Sequence, residues 1–305
     1  MENAFENQSP SERKTSIVVR PKQRSWLDRE LYPFALGRFD TPHGTMSYVD
    51  EGTGPVILFV HGTPSWSFEW RAVIAALSAT HRCVAPDHLG FGLSDKPANA
   101  PLSPSDHAER LRALVCALDL RDVTLVVHDF GGPIGLPLAL EMPDRIARVV
   151  VLNTWMWSTA DEPSAAKLHR VICGIVGRIL YRWLNASPRL LLPATFADRK
   201  RLTKRIHRQY ITPFGRRAER EGPYALARAL FGAADYYASL WRRRHELSAD
   251  MLTVVWGERD PALTTHHLQR WVDAYPGARV VRVADAGHSV AEERPDILID
   301  VLRGG

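Results

Sequence analysis

Short apolar runs, each ending in polar residues, recur along the chain, and helical patterns fill the intervals between them. The runs are Val56–Val60, Arg82–Pro86, Val123–Val127, Arg148–Leu152, Met251–Trp256 and Arg279–Val283, after a shorter β region at Gly44–Val49. Unbroken apolar runs of this length are typical of strands that are buried on both faces. The helical patterns, with apolar residues three and four apart, are Trp70–Ser78, Ser105–Leu118 and Gly132–Glu141. This alternation predicts an α/β fold with a mostly parallel sheet, whose polar strand ends gather at one edge.

The strand rhythm stops after Arg148–Leu152, which becomes the sixth strand if one further strand precedes Gly44–Val49, and resumes only at Met251. The interval is helical but irregular, and it contains an apolar run at Ile172–Leu184 followed by an arginine-rich segment. A helical cap, inserted after the sixth strand and lying over the strand ends, is the simplest interpretation. The predicted division is a flexible N-terminal extension at 1–29, a core at 30–154 and 248–305, and a helical cap at 155–247.

The amino-acid composition indicates a folded globular protein, and the distribution of its charges bears on which partners it binds. The chain has 305 residues, is 45% hydrophobic and carries a net charge of +5, which is typical of a folded globular protein with a mildly basic balance. Much of the basic excess lies in the cap, where we expect a solvated helix face; attraction of an anionic substrate or an acidic partner is the alternative. These basic residues are Arg199, Lys200, Arg201, Lys204, Arg205, Arg208, Arg216, Arg217, Arg220 and Arg242–Arg244.

No nucleic-acid motif accompanies these charges, so we expect no nucleic-acid partner. The polar beginning of the chain has no secretory signal, and no apolar run is long enough to span a bilayer. We therefore expect a cytoplasmic protein without a membrane partner; the oligomeric state stays open. Cys83, Cys116 and Cys173 are odd in number and lack metal-ligand spacing, which predicts buried free thiols in a reducing compartment.

The segment that follows the Val123–Val127 run has the pattern of a nucleophile elbow. His128-Asp129-Phe130 ends the strand, and glycines at 131, 132 and 135 open the next helix. Small residues permit a tight turn that lifts one side chain above the sheet. The lifted residue is Asp129, a carboxylate that needs no base to ionise it and can attack a saturated carbon directly. A helix N-cap is the alternative, whereas a dinucleotide loop requires glycine spacing that is absent here.

Two further polar residues follow later strands in the order that a triad requires. Asp260 comes after the Met251–Trp256 run, and His288 comes after Arg279–Val283. We predict His288 as the base and Asp260 as the acid that orients it, with Glu258 as second choice for the acid. Main-chain N–H groups of Thr63 and Phe130 are predicted to form an oxyanion hole. No metal-ligand cluster or phosphate loop occurs, so we expect no cofactor and a small-molecule substrate.

These motifs together resemble the haloalkane dehalogenase branch of the α/β-hydrolases, over about residues 30–305. The similar segments are Leu31–Phe34, Tyr48–Gly52, His61–Pro64, Ala85–Ser94, the elbow, Leu152–Trp155, and the positions of Asp260 and His288. The resemblance implies an α/β-hydrolase fold with eight strands, and a subgroup whose acid follows the seventh strand and which is related to β-lactone decarboxylases. It also implies that the aspartate forms an alkyl-enzyme ester, which water activated by the histidine then hydrolyses.

Two positions depart from the pattern of that branch. Its members carry Trp after the nucleophile and Asn after the His-Gly pair, where both side chains donate to the departing halide. This chain has Phe130 and Thr63 there, and Phe has no conventional donor. Trp155 and Trp157 are the candidates for lining the pocket and replacing the lost donor.

Other leaving groups therefore stay open. An epoxide releases an alkoxide that cap tyrosines protonate, and a β-lactone releases a tethered carboxylate. A ligand-binding protein without hydrolytic activity is the alternative from a different class. The candidate tyrosines are Tyr181, Tyr210, Tyr224, Tyr236 and Tyr237.

Overall fold

The apolar runs form the strands of one eight-stranded sheet in the computed structural model, which describes residues 24–160 and 165–304. The order across the sheet is β1-β2-β4-β3-β5-β6-β7-β8. Strands β1 and β2, and β2 and β4, pair antiparallel, and every other pair is parallel. The strands are β1 Leu36–Thr41, β2 Gly44–Glu51, β3 Val56–Val60, β4 Arg82–Pro86, β5 Val123–Asp129, β6 Ile146–Thr154, β7 Leu252–Gly257 and β8 Arg279–Val283. The predicted fold class is confirmed.

The strand that the sequence patterns did not reveal is β1, at the edge of the sheet. Its residues, Leu36–Thr41, alternate between more and less exposed positions because only one face of the strand packs on the protein. A half-exposed strand has no continuous apolar run, and it therefore lacks the signal that identified the central strands.

Strand β5 shows why the central runs are continuously apolar. Leu125 and Val127 point into the core on one face of the sheet, and Val126 points into the core on the other face. All three side chains are fully buried. Helices cover both faces: α2 and α3 pack together, and α1 packs against α12. The helices of the core are α1 Arg71–Leu77, α2 Pro104–Ala117, α3 Gly131–Glu141, α10 Thr265–Ala274, α11 Val290–Glu293 and α12 Pro295–Arg303.

The interval between β6 and β7 is helical, as predicted for the cap. Two stretches of π-helix, Ile179–Trp183 and Ser187–Leu191, interrupt its α-helices, and this explains the irregular pattern in the sequence. Most of its arginines are exposed, and several form local ion pairs, such as that of Arg216 with Glu219. Within the described residues, no helix is both long enough and apolar enough to cross a bilayer. The α-helices of the cap are α4 Ala165–Cys173, α5 Ile175–Arg178, α6 Leu192–Ala194, α7 Lys204–Ile211, α8 Glu221–Gly232 and α9 Ala234–Arg242.

The predicted N-terminal extension falls mostly on residues 1–23, which lie outside the described residues. From residue 24 onward the chain packs on the protein. The ring of Trp26 meets Trp66 edge-on, with 5.9 Å between the ring centroids, and Asp28 pairs with Arg205 of the cap. We therefore place the start of the packed chain before the predicted boundary at residue 30.

The expectation of three buried thiols is wrong for two of them. All three cysteines are free, but only Cys83, within β4, is buried. Cys116 lies on α2, whose buried face includes Leu111, Leu114 and Val115, and the next residue along turns toward solvent. Cys173 ends α4 and is also exposed. An apolar helical pattern therefore located the helix but not the direction of every small side chain on it.

The start of α3 tests how tightly the core is assembled. A Cβ on Gly131 would clash with the backbone carbonyl of Val60, whereas a Cβ on Gly232, at the end of α8, would meet nothing within 4 Å. We expect Gly131→Ala to lower the free energy of unfolding by about 3 kcal/mol. The matched control Gly232→Ala should be neutral, or stabilising by about 0.5–1 kcal/mol, because alanine favours helix. Urea unfolding followed by circular dichroism measures both, and equal effects would contradict the close approach at Gly131.

Candidate active site

Strand β5 ends in a turn that holds Asp129 in a left-handed conformation. Its φ is +52°, and α3 begins two residues later at Gly131. The turn packs closely against its neighbours, because a Cβ on Gly132 would clash with the Thr154 hydroxyl and one on Gly62 would clash with the Asp129 carboxylate. Left-handed backbone is costly for a residue that has a Cβ, so the surrounding contacts must hold it in place. The predicted elbow is therefore present in the geometry.

The carboxylate of Asp129 lies between the end of β3 and His288. The main-chain N–H of Thr63 donates to its Oδ1 at 2.7 Å. Its Oδ2 is 3.5 Å from Nε2 of His288, and the side chain of Asp129 is 13% exposed. One oxygen is thus fixed by a backbone donor, while the other faces the imidazole and the small cavity beside it.

His288 contacts two carboxylates through its two ring nitrogens. Nδ1 is 2.6 Å from Oδ2 of Asp260, opposite the Asp129 contact at Nε2. Burial disfavours the charged imidazole, but the negative charges of Asp260 and Asp129 outweigh this effect and hold the pKa of His288 well above its ordinary value. The three residues predicted as a triad are therefore brought together in one chain of contacts.

Asp260 is fully buried, and each of its oxygens has a donor. Oδ1 accepts the N–H groups of Ala262 and Leu263 at 2.8 and 3.0 Å. Oδ2 accepts Nδ2 of Asn153 at 2.9 Å in addition to its contact with His288. Burial works against the charge of Asp260, but the His288 imidazole and these hydrogen bonds lower the pKa of Asp260 below its ordinary value. The carboxylate is thus held ionised and aimed at His288.

Glu258, the second choice for the acid, lies elsewhere. It pairs with Arg282 at 2.9 Å and does not contact His288. The ordering within the loop after β7 explains the difference: Glu258 follows the strand directly, and Asp260 is two residues farther on, where the chain turns back toward β6.

Three residues at the site were not singled out by the sequence analysis. Asn153, at the end of β6, ties β7 to the acid, because its Oδ1 also accepts the N–H of Gly257 at 2.8 Å. His128 donates to or accepts from Glu69 at 3.1 Å, and its Nε2 donates to the carbonyl of His288 at 2.9 Å. The Glu69–His128 pair therefore lies directly behind the base and holds its main-chain carbonyl.

A small cavity lies beside Asp129, between its carboxylate and the Glu69–His128 pair. Its volume of about 10 Å³ is about the smallest that can hold one water molecule. The hydroxyl of Thr63 is buried without a hydrogen-bond partner in the described structure, and so is Oε1 of Glu69. The polar residues of the lining are Thr63, Ser65, Glu69, His128, Asp129, Tyr210, His288 and Ser289. The cavity therefore offers polar contacts to a water beside Nε2 of His288.

On the cap side, Phe130 packs against the first residue beyond β6. Its ring meets Trp155 edge-on, with 4.8 Å between the centroids, and both residues are buried. The Nε1–H of Trp155 has no hydrogen-bond acceptor among the described residues. A buried donor without an acceptor costs about 1–3 kcal/mol, so this N–H lowers the free energy of unfolding. Trp157 is placed differently: its ring packs on Trp241 and Trp271, at 5.2 and 5.6 Å.

The five cap tyrosines also separate by their hydroxyl contacts. Four donate to acceptors in the protein: Tyr210 to Glu292, Tyr224 to Ile172 O, Tyr236 to Pro133 O and Tyr237 to Ala229 O. Tyr181 has no hydrogen-bond partner for its hydroxyl within the part of the chain that the structure describes. Burial, followed by the charge of Asp129, raises the pKa of Tyr181 to about 12, so its hydroxyl stays protonated and lies within electrostatic reach of the nucleophile.

Residues 55–295 match the family model that is described as the alpha/beta hydrolase fold. The chain belongs to the α/β-hydrolase family. It is 34% identical over 274 residues to haloalkane dehalogenase 2 of Mycobacterium tuberculosis, covering 88% of this chain and 94% of that protein. It is also 32% identical over 290 residues to the cis-3-alkyl-4-alkyloxetan-2-one decarboxylase of Shewanella oneidensis, covering 90% and 88%.

Solved structures agree with these relatives. The haloalkane dehalogenase DatA of Agrobacterium tumefaciens superposes with a TM-score of 0.78 and 26% identity, covering 88% of this chain and 94% of that one. The chain is thus a hydrolase of the haloalkane dehalogenase-like type, and the resemblance found in its sequence is confirmed.

The raised pKa of His288 makes the stability of this hydrolase depend on pH. The pKa of His288 in the folded protein lies above its ordinary value of 6.5, so protonation of this residue stabilises the fold. The stabilisation is complete below pH 6.5, and it is lost as the pH rises through the pKa of the folded protein. We expect the difference in free energy of unfolding between wild type and His288→Gln to shrink from neutral toward alkaline pH. Denaturant unfolding at a series of pH values measures it, and a difference that stays constant would contradict the ion pair.

Proposed function

We propose that the enzyme forms a covalent ester on Asp129 with a small apolar substrate and hydrolyses it with water activated by His288. The observation that carries the proposal is the position of Asp129 between the Thr63 N–H and Nε2 of His288. Because Oδ1 is held by the Thr63 N–H, Oδ2 is the oxygen that attacks the substrate carbon. The bond from that carbon to its leaving group breaks with the electron pair, and the leaving group departs as an anion.

Hydrolysis then regenerates the carboxylate. Nε2 of His288 takes a proton from water, and the hydroxide attacks the ester carbon of Asp129. Negative charge develops on Oδ1, where the Thr63 N–H already donates and the N–H of Phe130 is the second predicted donor. When the tetrahedral intermediate collapses, the bond between the ester carbon and the alkyl-bearing Oδ2 breaks, and the product leaves as an alcohol with the proton that His288 returns. Formation of the ester removes the charge of Asp129 and with it one of the two charges that favour the imidazolium. The pKa of His288 therefore falls, the imidazolium loses its proton to solvent, and the neutral imidazole is available to accept a proton from water.

For the leaving group, we propose a halide held by Trp155 and Thr63. The Trp155 Nε1–H and the Thr63 hydroxyl are both buried and lack partners in the described structure. One flanks Phe130 and the other flanks the carboxylate, so they replace the donors that this chain lacks at its Phe and Thr positions. An anion leaving Asp129 would satisfy both.

Tyr181 supports a second candidate, in which the leaving group is an oxygen atom. Its free, protonated hydroxyl within electrostatic reach of Asp129 is suited to donate a proton to the alkoxide of an opening epoxide, or a hydrogen bond to the carboxylate of an opening β-lactone. The relative from Shewanella oneidensis is named for an alkyloxetan-2-one, which is a strained cyclic ester of this kind.

Trapping the ester tests the nucleophile. We expect His288→Gln, incubated separately with a haloalkane, an epoxide and a β-lactone, to gain the mass of the substrate-derived group on the peptide that contains Asp129. Glutamine keeps a polar side chain but cannot activate water, so the ester accumulates. Intact-protein and peptide mass spectrometry detect it. The double variant Asp129→Ala, His288→Gln is the control and should gain nothing. No adduct from any of the three substrates would overturn the covalent mechanism.

Two conservative substitutions separate the leaving groups. Trp155→Phe keeps the ring against Phe130 and removes only the N–H; we expect halide release to fall about 100-fold, and epoxide or lactone turnover to change little. Tyr181→Phe should do the reverse. Tyr236→Phe is the matched control, because its hydroxyl already donates to Pro133 O. Steady-state kcat for each substrate class is the measurement, and unchanged halide release in Trp155→Phe would refute its role as the donor.

A further inference from the structure

The exposed large apolar side chains of the described structure all lie in one part of the cap. Each is between 38% and 76% exposed, and Ile175 is the most exposed of them. They are Leu168, Val171, Ile175, Val176, Ile179, Trp183, Leu184, Leu190 and Leu191. Singly exposed apolar residues are ordinary, but nine within 24 consecutive residues, counted from 168 to 191, form a concentrated surface. We refer to these nine residues as the apolar cap face.

Helical periodicity explains how the segment has both an inner and an outer apolar side. Ile175, Ile179 and Trp183 are four residues apart and project outward, whereas Ile172 and Tyr181 face α8. The hydroxyl of Tyr224, on α8, donates to the carbonyl of Ile172. A cap helix in contact with water needs apolar residues on its inner side only. The outer side therefore has an apolar character that packing of the cap does not require.

The charged residues within the segment that carries this face have a single sign. Residues 165–197 contain no Asp or Glu, but they contain Lys167, Arg170, Arg178 and Arg189, which have no ion-pair partner in the described structure. Arg182 differs, because it pairs inward with Glu221. The guanidinium of Arg217 adds a further positive charge, 4.2 Å from the centre of the exposed Trp183 ring.

We propose that the apolar cap face docks the enzyme on the surface of an anionic lipid bilayer. Aliphatic side chains and a tryptophan enter the boundary between headgroups and acyl chains, and the surrounding cations meet lipid phosphates. A second copy of this chain fits less well, because a symmetric contact would bring the cations of both copies together without a carboxylate between them. Attachment of this kind lies on the bilayer without crossing it, and it revises the expectation that the protein has no membrane partner.

Docking of this kind would orient the cap, with one side toward the bilayer and the other toward the interior of the protein. The π-helical stretch Ile179–Trp183 would place Ile179 and Trp183 in the lipid boundary, while Tyr181 on the same stretch packs inward on Tyr224, with 5.5 Å between the ring centroids. Docking is independent of which leaving group the enzyme releases, so its test needs no turnover.

Flotation with lipid vesicles tests the docking of the full chain. We expect binding to vesicles of phosphatidylglycerol and phosphatidylcholine, little binding to phosphatidylcholine alone, and weaker binding at high salt. Ile175→Ser with Trp183→Ser should lower the partition coefficient about tenfold or more. Arg178→Gln with Arg189→Gln should lower it about fivefold for each arginine removed. The control is Arg112→Gln with Arg279→Gln. It removes two exposed positive charges that lie outside the cap, and it should bind like wild type.

A second measurement identifies the residue that enters the bilayer. Brominated phosphatidylglycerol should quench tryptophan fluorescence of wild type, and Trp183→Phe should lose that quenching while it still floats with the vesicles. Equal binding of wild type and both double variants would overturn the proposal. So would a dimer in the absence of vesicles, seen by light scattering, that Ile175→Ser with Trp183→Ser converts to a monomer.

Discussion

One close approach holds the site together: the turn after β5 passes directly against the end of β3. Glycines at 62, 131 and 132 are the residues that permit it, because a Cβ at any of them would clash with backbone or with the side chains of Asp129 and Thr154. Thr154 in turn donates to the carbonyl of Asp129, and its own carbonyl accepts the indole N–H of Trp271 at 2.8 Å. The left-handed backbone of Asp129 is thus fixed from both neighbouring strands. Its carboxylate therefore needs no rearrangement to reach the Thr63 N–H.

The electrostatics of the site follow from this placement. Two carboxylates are held on opposite sides of one imidazole, and the backbone donors at Ala262 and Leu263 keep the rear carboxylate ionised. The Glu69–His128 pair fixes the backbone of His288 from behind. His288 is thus restrained at both ring nitrogens and at its main-chain carbonyl. This keeps the general base oriented toward its reactants.

The sequence predicted the parts of the protein whose signals are local. A strand buried on both faces is a continuous apolar run, and three of the polar residues that follow such runs, Asp129, Asp260 and His288, lie in contact at the sheet edge. Glu69 carries no such signal, and it acts through His128, 59 residues away in the chain. Asn153 does lie at a strand end, but its pairing with Asp260, 107 residues away, leaves no local pattern. Strand β1 was missed because one of its faces is exposed, and Cys116 was misplaced because helical periodicity fails to resolve one position at the border of a face.

The cap leaves the sheet after β6 and returns at β7, and these two strands are neighbours, with Val149 opposite Leu252. Because the two strands are parallel, the insertion leaves at the carboxyl end of β6 and returns at the amino end of β7, and the backbone hydrogen bonds between the strands hold these two points at a fixed distance whatever lies between them. For an insertion whose two ends are fixed in this way, the entropic cost of closing the loop increases only slowly with the number of inserted residues. The insertion can lengthen, shorten or change its outer surface while the register of the sheet beneath it stays the same. Surface properties and chemistry are thus free to diverge separately among proteins that share this core.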